Sequence, residues 1–178
     1  MSRNNLSVGK TRGLSSTSTR DGVFTILALD HRQSFFKMIN PQQAESVSYQ
    51  AVVEIKSQVV RTLSSYSSAV LLDPIYGAAQ AVANGACPGS LGLIVAVEET
   101  GYSGSDIARR SRLLPDWNVA KSRRMGADAV KAALHLGIRE GRDGLFAVVH
   151  VVLKPFTFHR FLHANPGGKF RGRHWPFP

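Results

Sequence analysis

The sequence predicts an α/β fold built on a parallel sheet. Two observations carry this. Four short apolar runs are separated by loops and by stretches of helical spacing, and each run ends at or beside a polar or charged residue. Apolar runs without alternation suit strands covered on both faces, and strands alternating with helices imply βαβ units. In α/β barrels and in open α/β sheets alike, the chemistry gathers at the carboxyl ends of the strands.

The elements follow in order. Residues 1–20 are polar and free of acids, and read as an N-terminal arm or short helix. Val23 to Leu29 is the first strand, bounded by Asp21-Gly22 and Asp30-His31-Arg32. A helix is expected from about Pro41 to Leu63, with Pro41 in its first turn and Ala44, Val47, Ala51, Ile55, Val59 and Leu63 at helical spacing. Ala69 to Leu72 is the second strand, ending at Asp73-Pro74, and a small-residue helix follows near Ala78 to Ala83. Leu91 to Val97 is the third strand, ending at Glu98-Glu99. A helix near Trp117 to Met125, stopped by Gly126, leads to the fourth strand, Ala129 to Leu136.

Strand ends give the candidate site. Alternation puts Phe24, Ile26, Ala28 and Asp30 on one face, so Asp30 closes a buried row. On strand four, Ala129, Lys131, Ala133 and His135 share the face with small residues, and Val130, Ala132, Leu134 and Leu136 the bulky one. The bulky face should pack on helices and leave Lys131 room on the other. A lysine among alanines needs an acidic partner or a lowered pKa, and Asp30 and Glu98 are the natural partners. Two roles are open at this point. The cluster is a structural ion pair, or a lysine–carboxylate site suited to carbonyl and carbanion chemistry.

Composition narrows the class. One cysteine, Cys87, excludes an internal disulfide framework and a cysteine zinc cluster. His159 and His163 lack further ligands, so no metal is expected. No Walker or dinucleotide glycine pattern is present, and no cofactor is expected. The apolar runs are too short to span a bilayer, and the expectation is a soluble, cytoplasmic protein without a membrane partner. The net charge is +10, from 22 Lys and Arg against 12 Asp and Glu. From Gly144 to Pro178 there is no acid, while Lys154, Arg160, Lys169, Arg171 and Arg173 fall there with six of the nine Phe. Such a tail has residue types suited to nucleic acid but no recognisable module, so that partner is set aside. Arg109, Arg110 and Arg112, and Lys121, Arg123 and Arg124, read as solvated basic faces.

Four stretches resemble the class I tagatose 1,6-bisphosphate aldolase family. They are DGVFTILALDHRQ at residues 21–33, SYSSAVLLDPIYG at 65–77, EETGY at 98–102, and LPDWNVAKSRRMGADAVK at 114–131. The resemblance covers about residues 7–136. It implies a partial (β/α)8 TIM barrel of about the first four βα units, at residues 21–137, and a non-matching tail at 138–178. It implies a reaction through a lysine imine, cleaving a phosphorylated ketose to dihydroxyacetone phosphate and an aldehyde, without a cofactor. By motif, Asp30 and Lys131 are the implied catalytic residues: Asp30 lies near the imine carbon, and Lys131 assists proton transfer. His31, Arg32, Asp73 and Glu98 are the implied substrate contacts, with His31 standing where the family has Gln.

Family members carry the imine lysine on strand six and an acid/base glutamate on strand five, beyond the resembling stretch. A barrel of this kind takes roughly 250 residues. The expectation is therefore a truncated chain, inactive alone, whose tail comes from a shifted reading frame or an unrelated end. Leu145 to Leu153 is expected as a fifth strand without the glutamate. The alternative is a half-barrel interaction module that closes its sheet against another chain or forms a homo-oligomer.

Overall fold

The computed structural model describes residues 6–99, 112–135, 147–153 and 159–160. Helix α1 spans Val8–Thr17, with the Ser7 hydroxyl accepting from the Lys10 N–H. Strand β1 is Ile26–Leu29 and is followed by α2, Gln33–Ile39. Helix α3, Tyr49–Leu63, leads to β2, Ala69–Leu72. Helix α4, Ala78–Ala83, leads to β3, Gly92–Ala96, and α5, Val119–Arg124, leads to β4, Ala129–His135.

Strands β1 to β4 lie side by side in chain order, all parallel. Ala28 pairs with Leu71, Leu71 with Ile94, and Ala96 with Lys131. This is an α/β fold with a parallel four-stranded sheet, compatible with part of a (β/α)8 barrel.

The two faces of the sheet differ. Leu29, Val70, Leu72, Leu93 and Val95 pack with Phe35, Val52 and Val60 in the main core, beneath α2, α3 and α4. Val130 packs with Val97, Trp117 and Val119 under α5. On the other face Ala69, Ile94 and Ala129 are buried, with Leu14 of α1 against them. Helix α1 thus covers the start of the strands. Its contact is close: a Cβ on Gly92 would run into the Ser16 carbonyl oxygen and lie 2.8 Å from Thr17 Cα.

Two expectations need correction, and two features were not foreseen. The first strand is shorter than Val23–Leu29 and is not covered on both faces: Ile26 is 41% exposed and Ala28 is also exposed. Among the described residues β1 lies at the sheet edge, paired with β2. The long helix does not begin at Pro41. Asn40 Oδ1 takes the N–H groups of Gln42 and Gln43, a 3-10 turn occupies Ala44–Ser46, and the Ser48 hydroxyl caps α3 by accepting from the Ala51 N–H. Helix α2 was not foreseen. β5, Ala147–Leu153, runs antiparallel to β4, where a barrel's next strand would be parallel. The 11 residues from 136 to 146 fall short of the dozen or so that a parallel crossover requires.

Candidate active site

The C-terminal ends of β1 and β3 converge on a lysine of β4. Lys131 Nζ lies 2.8 Å from Asp30 Oδ2 and also donates to Glu98 Oε1. Parallel register explains the meeting. Asp30 is two residues past Ala28, Glu98 is two past Ala96, and Ala96 is the register partner of Lys131. Period-two alternation then places all three on the face with small side chains.

The Lys131 side chain is 16% exposed, so it is neither sealed nor free. Burial by itself would lower its pKa. The hydrogen bonds and charges of Asp30 and Glu98 oppose this and prevail, holding it above the ordinary lysine value. At neutral pH Lys131 is an ammonium, a donor rather than a nucleophile. Asp30 and Glu98 take two of its three N–H groups, and the third has no partner among the described residues.

Arg32 is buried beside this group. It follows β1, and its Nη2 donates to the Glu98 carbonyl oxygen. Arg32 Nε and Glu98 Oε2 are buried and have no hydrogen-bond partner among the described residues. Buried polar atoms are normally satisfied, so an unpaired donor and acceptor beside a charged cluster suit a polar ligand or ordered water. His31 is exposed, and its carbonyl oxygen faces inward.

Asp73 is not brought into that cluster's hydrogen bonds. It is fully buried, and its Oδ2 pairs with Lys56 Nζ on α3. Its Oδ1 accepts from the backbone N–H groups of Ile75 and Tyr76 at 2.9 and 2.8 Å. Lys56 was missed in the sequence. A signal was present: Val52, Lys56 and Val60 recur every four residues and are all buried, so Lys56 sits on the apolar stripe of α3. Of the basic residues read as solvated, Lys121, Arg123, Arg124 and Arg112 are exposed. Arg109, Arg110, Lys154, His163 and the tail from residue 161 lie outside the described residues. Among the described residues, no helix is long and apolar enough to cross a membrane.

A family model described as "DeoC/LacD family aldolase" matches residues 24–145, the stretch that carries Asp30, Arg32, Asp73, Glu98 and Lys131.

The chain belongs to the DeoC/LacD aldolase family.

Relatives in this family include tagatose 1,6-diphosphate aldolase 2 of Enterococcus faecalis, 36% identical over 135 residues. That alignment covers 76% of this chain and 40% of the relative. The tagatose 1,6-diphosphate aldolase 2 of Streptococcus mutans is 33% identical over 133 residues, 75% of this chain and 40% of the relative. The tagatose 1,6-diphosphate aldolase of Staphylococcus haemolyticus is 30% identical over 135 residues, with the same coverage. This DeoC/LacD chain therefore spans about 40% of the length of the curated relatives it matches.

Proposed function

We propose that Asp30, Lys131 and Glu98 form the proton-handling part of an imine-forming aldolase site that acts on a phosphorylated ketose such as tagatose 1,6-bisphosphate. The single observation that carries this is the Lys131 ammonium held between two carboxylates at the ends of β1 and β3. In such a reaction a lysine amine condenses with the C2 carbonyl and releases water. The C3–C4 bond then breaks as the C4 hydroxyl gives up its proton, and the electron pair passes into the enamine. A lysine kept cationic suits hydrogen bonding to a substrate oxygen in that cycle, with Asp30 exchanging protons near the imine carbon. Arg32 Nε and Glu98 Oε2 supply an unpaired donor and acceptor for substrate hydroxyls, and His31 lines the exposed side. Asp73 serves the site indirectly.

Lys131 is then not the imine lysine. In this reading residues 21–137 are the barrel part, residues 138–178 are a separate tail, and the imine lysine belongs to a portion of the family outside the matched stretch.

Two experiments test this. Incubation with dihydroxyacetone phosphate, reduction with borohydride and mass spectrometry should give no adduct. A stoichiometric adduct at Lys131 or Lys154 overturns the assignment. A chimera in which residues 24–136 replace the matching segment of the Enterococcus faecalis enzyme should cleave tagatose 1,6-bisphosphate. Its Lys131→Met form should lose about 10²–10⁴-fold in kcat, the usual worth of a positioned proton-transfer group. A folded chimera without activity sinks the proposal.

A second reading has its own observation. Val23 and Phe24, just before β1, and Ile26 within it are 55%, 45% and 41% exposed. An open apolar edge is a template for strand pairing, so this chain would close its sheet against a second copy. Size-exclusion chromatography decides it: a defined dimer supports pairing, and a monomer or a heterogeneous aggregate removes it.

A further inference from the structure

We infer that Lys56 and Asp73 form a clamp that positions the Asp30 carboxylate. Lys56 projects from α3, and its side chain is 1% exposed. Its Nζ donates to the Leu29 carbonyl oxygen at 3.0 Å, to the His31 carbonyl oxygen at 2.7 Å, and to Asp73 Oδ2. All three ammonium N–H groups are used. The Leu29 carbonyl belongs to the peptide that precedes Asp30, and the His31 carbonyl to the peptide that follows His31, so one cation holds the chain on both sides of Asp30. Fixing the chain on both sides restricts the backbone rotations that set the direction of the Asp30 Cα–Cβ bond, and with it the approach of the carboxylate to Lys131.

The anchor of the clamp is fixed in turn. Asp73 closes β2, and its second oxygen is committed to the Ile75 and Tyr76 N–H groups. The Phe35 ring of α2 lies beneath the ammonium, with its centroid 5.2 Å from Nζ. Burial pushes the Lys56 amine below the ordinary lysine value, the charges of Asp73 and Asp30 oppose this, and Arg32 adds to the lowering. A buried ion pair by itself is weak evidence for stability. The use of two carbonyls on either side of a site carboxylate is what distinguishes this pair from a structural one. Lys56 touches neither Lys131 nor Glu98 through a hydrogen bond, so it is a positioning residue.

The clamp rests on the reading of Asp30 and Lys131 as the reacting pair. Its test uses no substrate, so its failure leaves that reading standing. The full chain is labelled with an amine-reactive reagent across a pH series, and Lys131 is quantified against exposed Lys121 by mass spectrometry. In Lys56→Met, Lys131 should lose part of its hold on Asp30 and react at lower pH, gaining about tenfold in free amine for each pKa unit lost. Where Lys56→Met does not fold, Asp73→Asn is read instead. It keeps an acceptor for Ile75 and Tyr76 and removes only the charge that anchors Lys56. The clamp requires a smaller shift of Lys131 in the same direction. A folded variant whose Lys131 profile matches the unsubstituted chain overturns the clamp and leaves Lys56–Asp73 as a structural pair.

Discussion

Lys131 Nζ and Asp30 Oδ2 are 2.8 Å apart and 101 residues apart in the chain. Glu98 holds the same ammonium from just past the end of β3. The contact exists only when β1 through β4 are in register, so it reports on both the sheet and the site.

The pH dependence of stability follows from that contact. The folded state holds the Lys131 proton more tightly than the unfolded chain does. Its stabilisation is therefore complete below the ordinary lysine value of about 10.4 and is lost as pH rises through the higher folded value. Urea unfolding at pH 8 and pH 11 should show a fall that is smaller in Lys131→Met. At pH 8 that variant should be destabilised by somewhat less than the roughly 3–5 kcal/mol typical of breaking a fully buried pair, since Lys131 is partly exposed. Equal pH dependence in the two chains contradicts the assignment.

Lys56 and Asp73 should behave as a coupled pair. Lys56→Met strands a fully buried carboxylate and should cost about 3–5 kcal/mol. Lys56→Met combined with Asp73→Asn removes the stranded charge while keeping the caps on Ile75 and Tyr76. The double variant should be more stable than Lys56→Met alone. Additive losses in urea denaturation would show the two residues to be independent.

Gly92 should not tolerate a side chain while α1 is docked. Gly92→Ala sets a methyl group against Ser16 and Thr17 backbone and should cost about 1–3 kcal/mol. In a chain lacking residues 1–17 the same substitution should be close to neutral. Thermal melts of the four proteins form the cycle, and a substitution that costs the same in both backgrounds refutes the contact.

Cys87 should be slow to alkylate. Burial pushes its thiol up, and Asp128 adds to this. Less thiolate is then present at a given pH, and the pH profile for iodoacetamide should lie above that of the unfolded chain. A rate at pH 8 equal to that in urea would show the thiol to be unperturbed.

Much of this was legible in the sequence because two short-range rules happened to suffice. An apolar run marked β2 and a small-residue stretch marked α4 with the observed boundaries, while period-two alternation assigned Asp30 and Lys131 their faces and a charged strand end marked Glu98 as a partner. Other features depend on competition that composition does not display. Pro41 is compatible with a first helical turn, but Asn40 and Ser48 capture the nearby N–H groups and move the helix start to Tyr49. Arg32 reaches the Glu98 carbonyl from a non-helical backbone, φ −115° and ψ −91°, that no residue pattern announces. Lys56 reads as one more polar residue on an amphipathic helix until its neighbours Val52 and Val60 are noticed to be buried.

The ammonium on the Leu29 and His31 carbonyls has a kinetic corollary. Among the described residues β1 is bonded along one side, and a strand so placed opens from its ends. Lys56 ties the tip to α3. At the foot, Thr25 and Ser68 exchange hydrogen bonds, and Ser68 also donates to the Thr17 carbonyl oxygen. An edge strand tied at foot and tip should not fray residue by residue; it should let go as a whole.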